Sequence, residues 1–203
     1  MARSPETTAD GLVHVVVCGG TPAEWVELGV GGWNRRFTDI AKGVAHVGAR
    51  WVTVFPHHGD GDDADSLAEL ASQYEQVDKV EQIDAHGTRR FVWRRDDGIN
   101  VVVDPGPDGH ARFARVVDSL SSAGEEIDEA VLSAALLAPV RDEPDLALIL
   151  GPPDQLPTSL VWELAYSELV FLDIKWADLQ SLHLEMAIDD FNRRHRRFGG
   201  LDS

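Results

Sequence analysis

Three groups of residues combine types and spacings that chemistry uses. His57-His58-Gly59-Asp60-Gly61-Asp62-Asp63 gathers imidazoles and carboxylates in one short run, and such donors suit a divalent metal. Their spacing matches neither a zinc pattern nor the alternating oxygens of a calcium loop, so a solvated acidic loop is expected. Gly19-Gly20-Thr21 follows an apolar run, a place where backbone N–H groups can cradle a phosphate. No Lys or further Gly follows at nucleotide-loop spacing, which favours a tight turn. Arg193, Arg194, Arg196 and Arg197 crowd around His195 near the C-terminus. They read either as a local site for an anionic ligand or as cations at a helix C-terminus.

These groups sit in a chain of 203 residues with 35 acidic and 18 basic side chains, a formal charge of −17. A charge of that sign repels phosphate backbones and anionic lipid surfaces, so nucleic acid is an unfavourable partner. Cys18 is the single cysteine and cannot close an internal disulfide. Residues 1–10 have no apolar stretch of signal-peptide type, and a cytoplasmic location is expected. No run reaches the roughly 18 apolar residues needed to span a bilayer, which leaves any membrane contact peripheral or supplied by a partner.

The elements that must position these groups alternate. Apolar runs at Leu12–Cys18, Trp51–Phe55 and Leu146–Leu150 read as strands covered on both faces, with further strands at 90–93, 100–103 and 169–174. Helical spacing covers 35–47, 66–77, 110–120 and 127–137. Pro157 is expected to open another helix running to about Glu168. The last helix starts near Leu179, with Leu182 and Met186 on one face, and Gly199-Gly200 ends it. The pattern predicts an α/β fold: a single domain over 11–203 behind a flexible tail at 1–10, its central sheet mostly parallel and flanked by helices.

Several ordered motifs lie in this frame: Asp145-Leu146-Ala147-Leu148, Trp162, Ala165-Tyr166-Ser167-Glu168, Phe171, Asp173, Trp176, Asp178 and Arg196-Arg197-Phe198-Gly199-Gly200. Together with His14-Val15 and Gly124-Glu125-Glu126-Ile127, they resemble the cis-prenyltransferases, the undecaprenyl diphosphate synthase family. The resemblance covers most of the chain from Leu12 onward. It implies a strand opening His-Val followed by Asp-Gly-Asn-Gly-Arg-Trp, whose Asp handles Mg²⁺ and the allylic diphosphate and whose Arg grips phosphate. Aligned without gaps from His14 to Trp25, this chain has Gly20 at the Asp and Glu24 at the Arg. Glycine offers no hard oxygen donor to replace the carboxylate.

The family's second pattern, Arg-Thr-Gly-Gly-Glu-x-Arg-Leu-Ser, is implied to hold the diphosphate of isopentenyl diphosphate through two Arg and one Ser. Ile149, Gln155 and Pro157 stand at those positions. A hydrogen bond to a charged group contributes about 1.5–3 kcal/mol, so three losses remove on the order of 5–9 kcal/mol of binding.

The replaced version, Pro144-Asp145-Leu146-Ala147-Leu148-Ile149-Leu150-Gly151-Pro152, resembles the Nogo-B receptor type of subunit. Such subunits share the fold, do not catalyse, and pair with a competent subunit in a heteromeric polyprenyl synthase. The resemblance implies that their C-terminal Arg-x-Gly reaches the partner's isopentenyl diphosphate site. Here that motif is Arg197-Phe198-Gly199, in which an Arg fork can hold a diphosphate.

The expected role is therefore an accessory subunit that binds no metal or cofactor itself, with Mg²⁺ in the catalytic partner and isopentenyl diphosphate at a shared site. Val161, Trp162, Leu164, Glu168, Leu169 and Phe171 are either core or the centre of the subunit interface. Glu168 stands where the family sometimes binds metal, but a structural or interface role is expected of it. The alternatives are a divergent autonomous prenyl diphosphate enzyme with Asp60, Asp62 or Asp63 as ligands, and a homo-oligomeric scaffold or lipid-binding protein.

Overall fold

The computed structural model describes residues 12–59 and 64–198, with the side chains of the last helix described through residue 194. The expected tail at 1–10, the candidate ligands Asp60, Asp62 and Asp63, and Gly199-Gly200 lie outside the described residues.

Seven strands form one sheet: β1 (His14–Cys18), β2 (Trp51–Phe55), β3 (Val80–Ala85), β4 (Thr88–Arg94), β5 (Asn100–Val103), β6 (Leu146–Leu150) and β7 (Glu168–Leu172). Their order is β3-β4-β5-β2-β1-β6-β7. The five strands from β5 to β7 run parallel, and β3 and β4 add an antiparallel ribbon at one edge. Every residue of β1 and β6 is buried, as their continuous apolar runs require of strands covered on both faces.

The two faces hold different cores. Val15, Val17, Val54 and Leu148 pack with Trp25, Trp33 and Phe37 of α1 (Pro22–Val44), Tyr74 of α2 (Ala64–Tyr74) and Ile188 of α6 (Ser181–Phe198). Val16, Cys18, Phe55, Ala147 and Ile149 form the opposite core with Leu160. Further along that face, α3 (Gly109–Ala123) and α4 (Glu129–Leu137) join through Val116, Leu120, Ala135 and Leu136. The remaining helix, α5 (Glu163–Tyr166), is a single turn.

Three expectations need correction. The first helix begins at Pro22, well before residue 35. Thr21 and Glu24 build a reciprocal capping box there, a start signal that the following glycine-rich stretch obscured. Its axis breaks at Gly29, where φ is +60°. The strand β3 has no counterpart among the expected elements; its Glu81, Gln82 and Asp84 are exposed, and it is an edge strand closed by the tight His86-Gly87 turn, both residues at positive φ.

No helix starts at Pro157. The segment's backbone bonds sideways instead, Thr158 N–H to the His57 carbonyl at 3.0 Å and Gly109 N–H to the Thr158 carbonyl at 2.9 Å, so only Glu163–Tyr166 turns helical. In α6, Leu182 and Met186 do share a face, but it is exposed; Leu184, Ala187, Ile188 and Phe191 are the residues it buries. Among the described residues no helix is long and apolar enough to cross a membrane.

Candidate functional site

In an open parallel sheet, the crevice forms beyond the carboxyl ends of the strands where the order of winding reverses. Here that point lies between β1 and β6. A cleft of about 460 Å³ opens there, bounded by Gly20 and Glu24 after β1, by His57 and His58 after β2, and by Gly151 and Gln155 after β6. Asp173, Lys175, Trp176 and Asp178 close its remaining side.

Gly20 has φ +71°, and an added Cβ would stand 2.9 Å from both Cβ and Cγ of Trp176. A carboxylate side chain at this position thus meets both a strained backbone and an occupied space. Trp176 is held firmly. The buried Arg36 guanidinium donates to the Leu179 carbonyl, to the Trp176 carbonyl at 2.7 Å and to the Ala177 carbonyl at 3.2 Å, and it lies 4.5 Å from the Trp176 ring centroid. Burial pulls the Arg36 pKa down to about 10.

The start of α1 is equally unsuited to an anion. Pro22 has no N–H, and the Thr21 hydroxyl accepts the Glu24 N–H at 3.2 Å. The Glu24 carboxylate accepts the Thr21 N–H at 2.9 Å. Two donors of this helix start, the Thr21 and Glu24 N–H groups, are thereby engaged by the chain's own side chains. Among the described residues lining the cleft, Glu24, Asp173 and Asp178 face a single Lys or Arg, Lys175. The ring of His57, whose Nδ1 lies 3.2 Å from the Nδ1 of His58, is pushed below the ordinary imidazole pKa by burial and by His58. The described lining of the cleft is therefore net acidic, a field that disfavours an anion.

The other substituted positions are divided. Gln155 lines the cleft, Ile149 is fully buried within β6, and Pro157 is buried in the irregular segment. Arg197 lies in the last turn of α6, beyond the described side chains. All six candidate interface residues, Val161, Trp162, Leu164, Glu168, Leu169 and Phe171, are half-buried. Leu169 and Phe171 belong to β7, the edge of the sheet. Glu168 meets Arg194 at 3.4 Å, which in turn donates to the Leu169 carbonyl at 3.3 Å.

Sequence reasoning missed the charged groups on the other face: Arg90, Asp104, Arg112 and Glu163, all buried. Their one sequence signal is a charge placed in the inward register of an otherwise apolar strand or helix face.

The family profile described as "Putative undecaprenyl diphosphate synthase" matches residues 95–199, just over half of the chain. The chain belongs to the undecaprenyl diphosphate synthase family. A ditrans,polycis-undecaprenyl-diphosphate synthase of Lactiplantibacillus plantarum is 42% identical over 97 residues, covering 46% of this chain and 37% of that protein. Isoprenyl transferase 2 of Bradyrhizobium diazoefficiens is 48% identical over 75 residues, covering 37% and 30%. The matched stretch thus spans only about a third of the length of these curated relatives.

Over nearly the whole chain, the fold is that of a probable undecaprenyl diphosphate synthase from Campylobacter jejuni, with TM-score 0.58, 16% identity, and 94% and 99% of the two chains covered. Lavandulyl diphosphate synthase from Lavandula x intermedia gives TM-score 0.56 at 15% identity, covering 89% and 95%. For the Mg²⁺ that the family implies, Gly20 supplies no side-chain ligand, and among the described residues, which leave out Asp60, Asp62 and Asp63, no group of three His, Cys, Asp or Glu could hold a metal ion.

Proposed function

We propose that this cis-prenyltransferase-family chain is a noncatalytic subunit of a heteromeric polyprenyl diphosphate synthase. The competent partner binds Mg²⁺ and condenses isopentenyl diphosphate head to tail onto an allylic diphosphate. This chain stabilises that partner and contributes Arg197 and Gly199 to its isopentenyl diphosphate site.

The observation that carries the reading is the state of the cleft at Gly20. The residue that should bind metal is a glycine at positive φ against Trp176, and the residue that should grip phosphate is a carboxylate spent on a helix cap. A cleft whose described lining is net acidic is poorly suited to a diphosphate, whereas a chain that works through its tail and an edge surface has no need to hold one. The half-buried apolar residues from Val161 to Phe171 have the amphipathic exposure of a surface completed by a partner.

A second reading, an autonomous divergent synthase, draws support from the 42% identity to a named synthase. Size measurement by light scattering separates the two. Co-expressed with a cis-prenyltransferase from the same cell, the chain is expected to elute in a stoichiometric complex. Elution apart from every such synthase, together with Mg²⁺-dependent binding of a prenyl diphosphate to the lone chain, supports the second reading instead.

A further inference from the structure

Two adjacent imidazoles, His57 and His58, line the cleft just beyond β2. Their Nδ1 atoms stand 3.2 Å apart, with the ring planes at 88°. The backbone pins the inner residue from both sides: His57 N–H donates to the Gly20 carbonyl at 2.7 Å, and the His57 carbonyl accepts the Thr158 N–H at 3.0 Å. His57 is 5% exposed, whereas His58 faces solvent.

A separation of 3.2 Å suits one shared proton, and it also suits one shared ion. Metal–nitrogen bonds of about 2.0–2.1 Å at a tetrahedral angle hold their two nitrogens about 3.3–3.4 Å apart, so the pair stands within about 0.2 Å of a chelate. Ligation through Nδ1 asks each ring to be neutral and to carry its proton on Nε2. Burial and the neighbouring His58 hold His57 below the ordinary imidazole pKa. Its buried Nε2 has no hydrogen bond of normal geometry that would fix the tautomer otherwise.

The surrounding field favours a cation, because Glu24, Asp173 and Asp178 outnumber Lys175 among the described lining residues. No group of three His, Cys, Asp or Glu forms among the described residues, so these acids act through their field and the two rings are the donor set. Imidazole suits Zn²⁺, Ni²⁺ and Cu²⁺, whereas Mg²⁺ demands hard oxygen ligands.

We propose that His57 and His58 chelate one divalent ion of the zinc and copper class through their Nδ1 atoms at the mouth of the cleft, with water in the remaining positions. The ion differs from the Mg²⁺ of the family in chemistry and in ligands, and the site belongs to the lone chain whether or not a partner subunit is bound.

The test titrates the untagged chain, alone, with Zn²⁺, Cu²⁺ and Mg²⁺ by calorimetry. One Zn²⁺ per chain is expected, with Cu²⁺ bound more tightly than Zn²⁺ and no heat from Mg²⁺. His58→Ala removes only an exposed ring and should weaken Zn²⁺ binding by at least about tenfold, a loss that even outer-shell changes can bring. Substoichiometric Cu²⁺ added to the labelled wild-type chain should broaden the ring signals of His57 and His58 first in NMR spectra. Absence of Zn²⁺ binding up to about 1 mM, equal affinity in His58→Ala, or broadening centred on other residues overturns the proposal. If His58→Ala loses its fold by circular dichroism, the wild-type broadening map decides: signals lost first at His57 and His58 support the chelate, and signals lost first elsewhere overturn it.

Discussion

His14 opens β1 with a neutral ring. Its Nδ1 lies 2.9 Å from the Asp142 carbonyl, which can only accept, so Nδ1 carries the proton and Nε2 accepts from Thr53 Oγ1 at 2.9 Å. Burial lowers its pKa to about 4 from 6.5. The unfolded chain therefore takes up a proton before the folded one does. This residue's contribution is intact above about pH 6.5 and is lost progressively as pH falls to about 4, some 3 kcal/mol in all. Urea melts of wild type and His14→Gln across that window should show a steeper acid loss in the wild type; parallel curves would contradict the assignment.

At Gly20 the expectation is equally specific. Gly20→Asp should cost about 1–3 kcal/mol, because it adds a side chain at positive φ beside Trp176, and calorimetric titration should detect no Mg²⁺ binding. Recovery of metal binding by this one change would mean that the cleft is far less remodelled than its geometry indicates.

The elements divide by how much of their identity is local. The central strands β1, β2 and β6 were legible because a continuous apolar run has few other uses. β3 was not, since an edge strand's outward residues are free to be polar. Glycines in the first half of α1 hid a helix whose start is written in Thr21, Pro22 and Glu24. The failed helix after Pro157 has a different cause: its backbone bonds were claimed by His57 and Gly109, partners distant in sequence that no local pattern contains.

At this scale the prediction concerns the sheet edge. Phe171→Lys places a charge on half-buried β7 and should weaken partner binding roughly tenfold or more, while circular dichroism of the lone chain stays that of the wild type. Unchanged affinity in sedimentation velocity would place the interface elsewhere.

For the molecule as a whole, the fold class was readable from alternation alone, and the family from ordered motifs between Asp145 and Gly200. That Gly stands at 20 and Glu at 24 was legible in single letters. What was not legible is what surrounds Gly20: Arg36 clamps Trp176 into the space beside it. The Arg36 clamp depends on groups brought together across the chain, whereas the Glu24 cap joins residues three apart.

If the tail serves a neighbour's site, Arg197→Ala in this chain should raise the complex's KM for isopentenyl diphosphate by about 10- to 100-fold, the value of one charged hydrogen-bonding group, with subunit assembly intact. The most direct measurement of the central claim is incorporation of labelled isopentenyl diphosphate onto an allylic diphosphate primer, with Mg²⁺, by the purified chain alone and by its complex with a synthase from the same cell. The account predicts no product from the chain alone at any Mg²⁺ concentration and elongation by the complex; polyprenyl diphosphate formed by the isolated chain would contradict it.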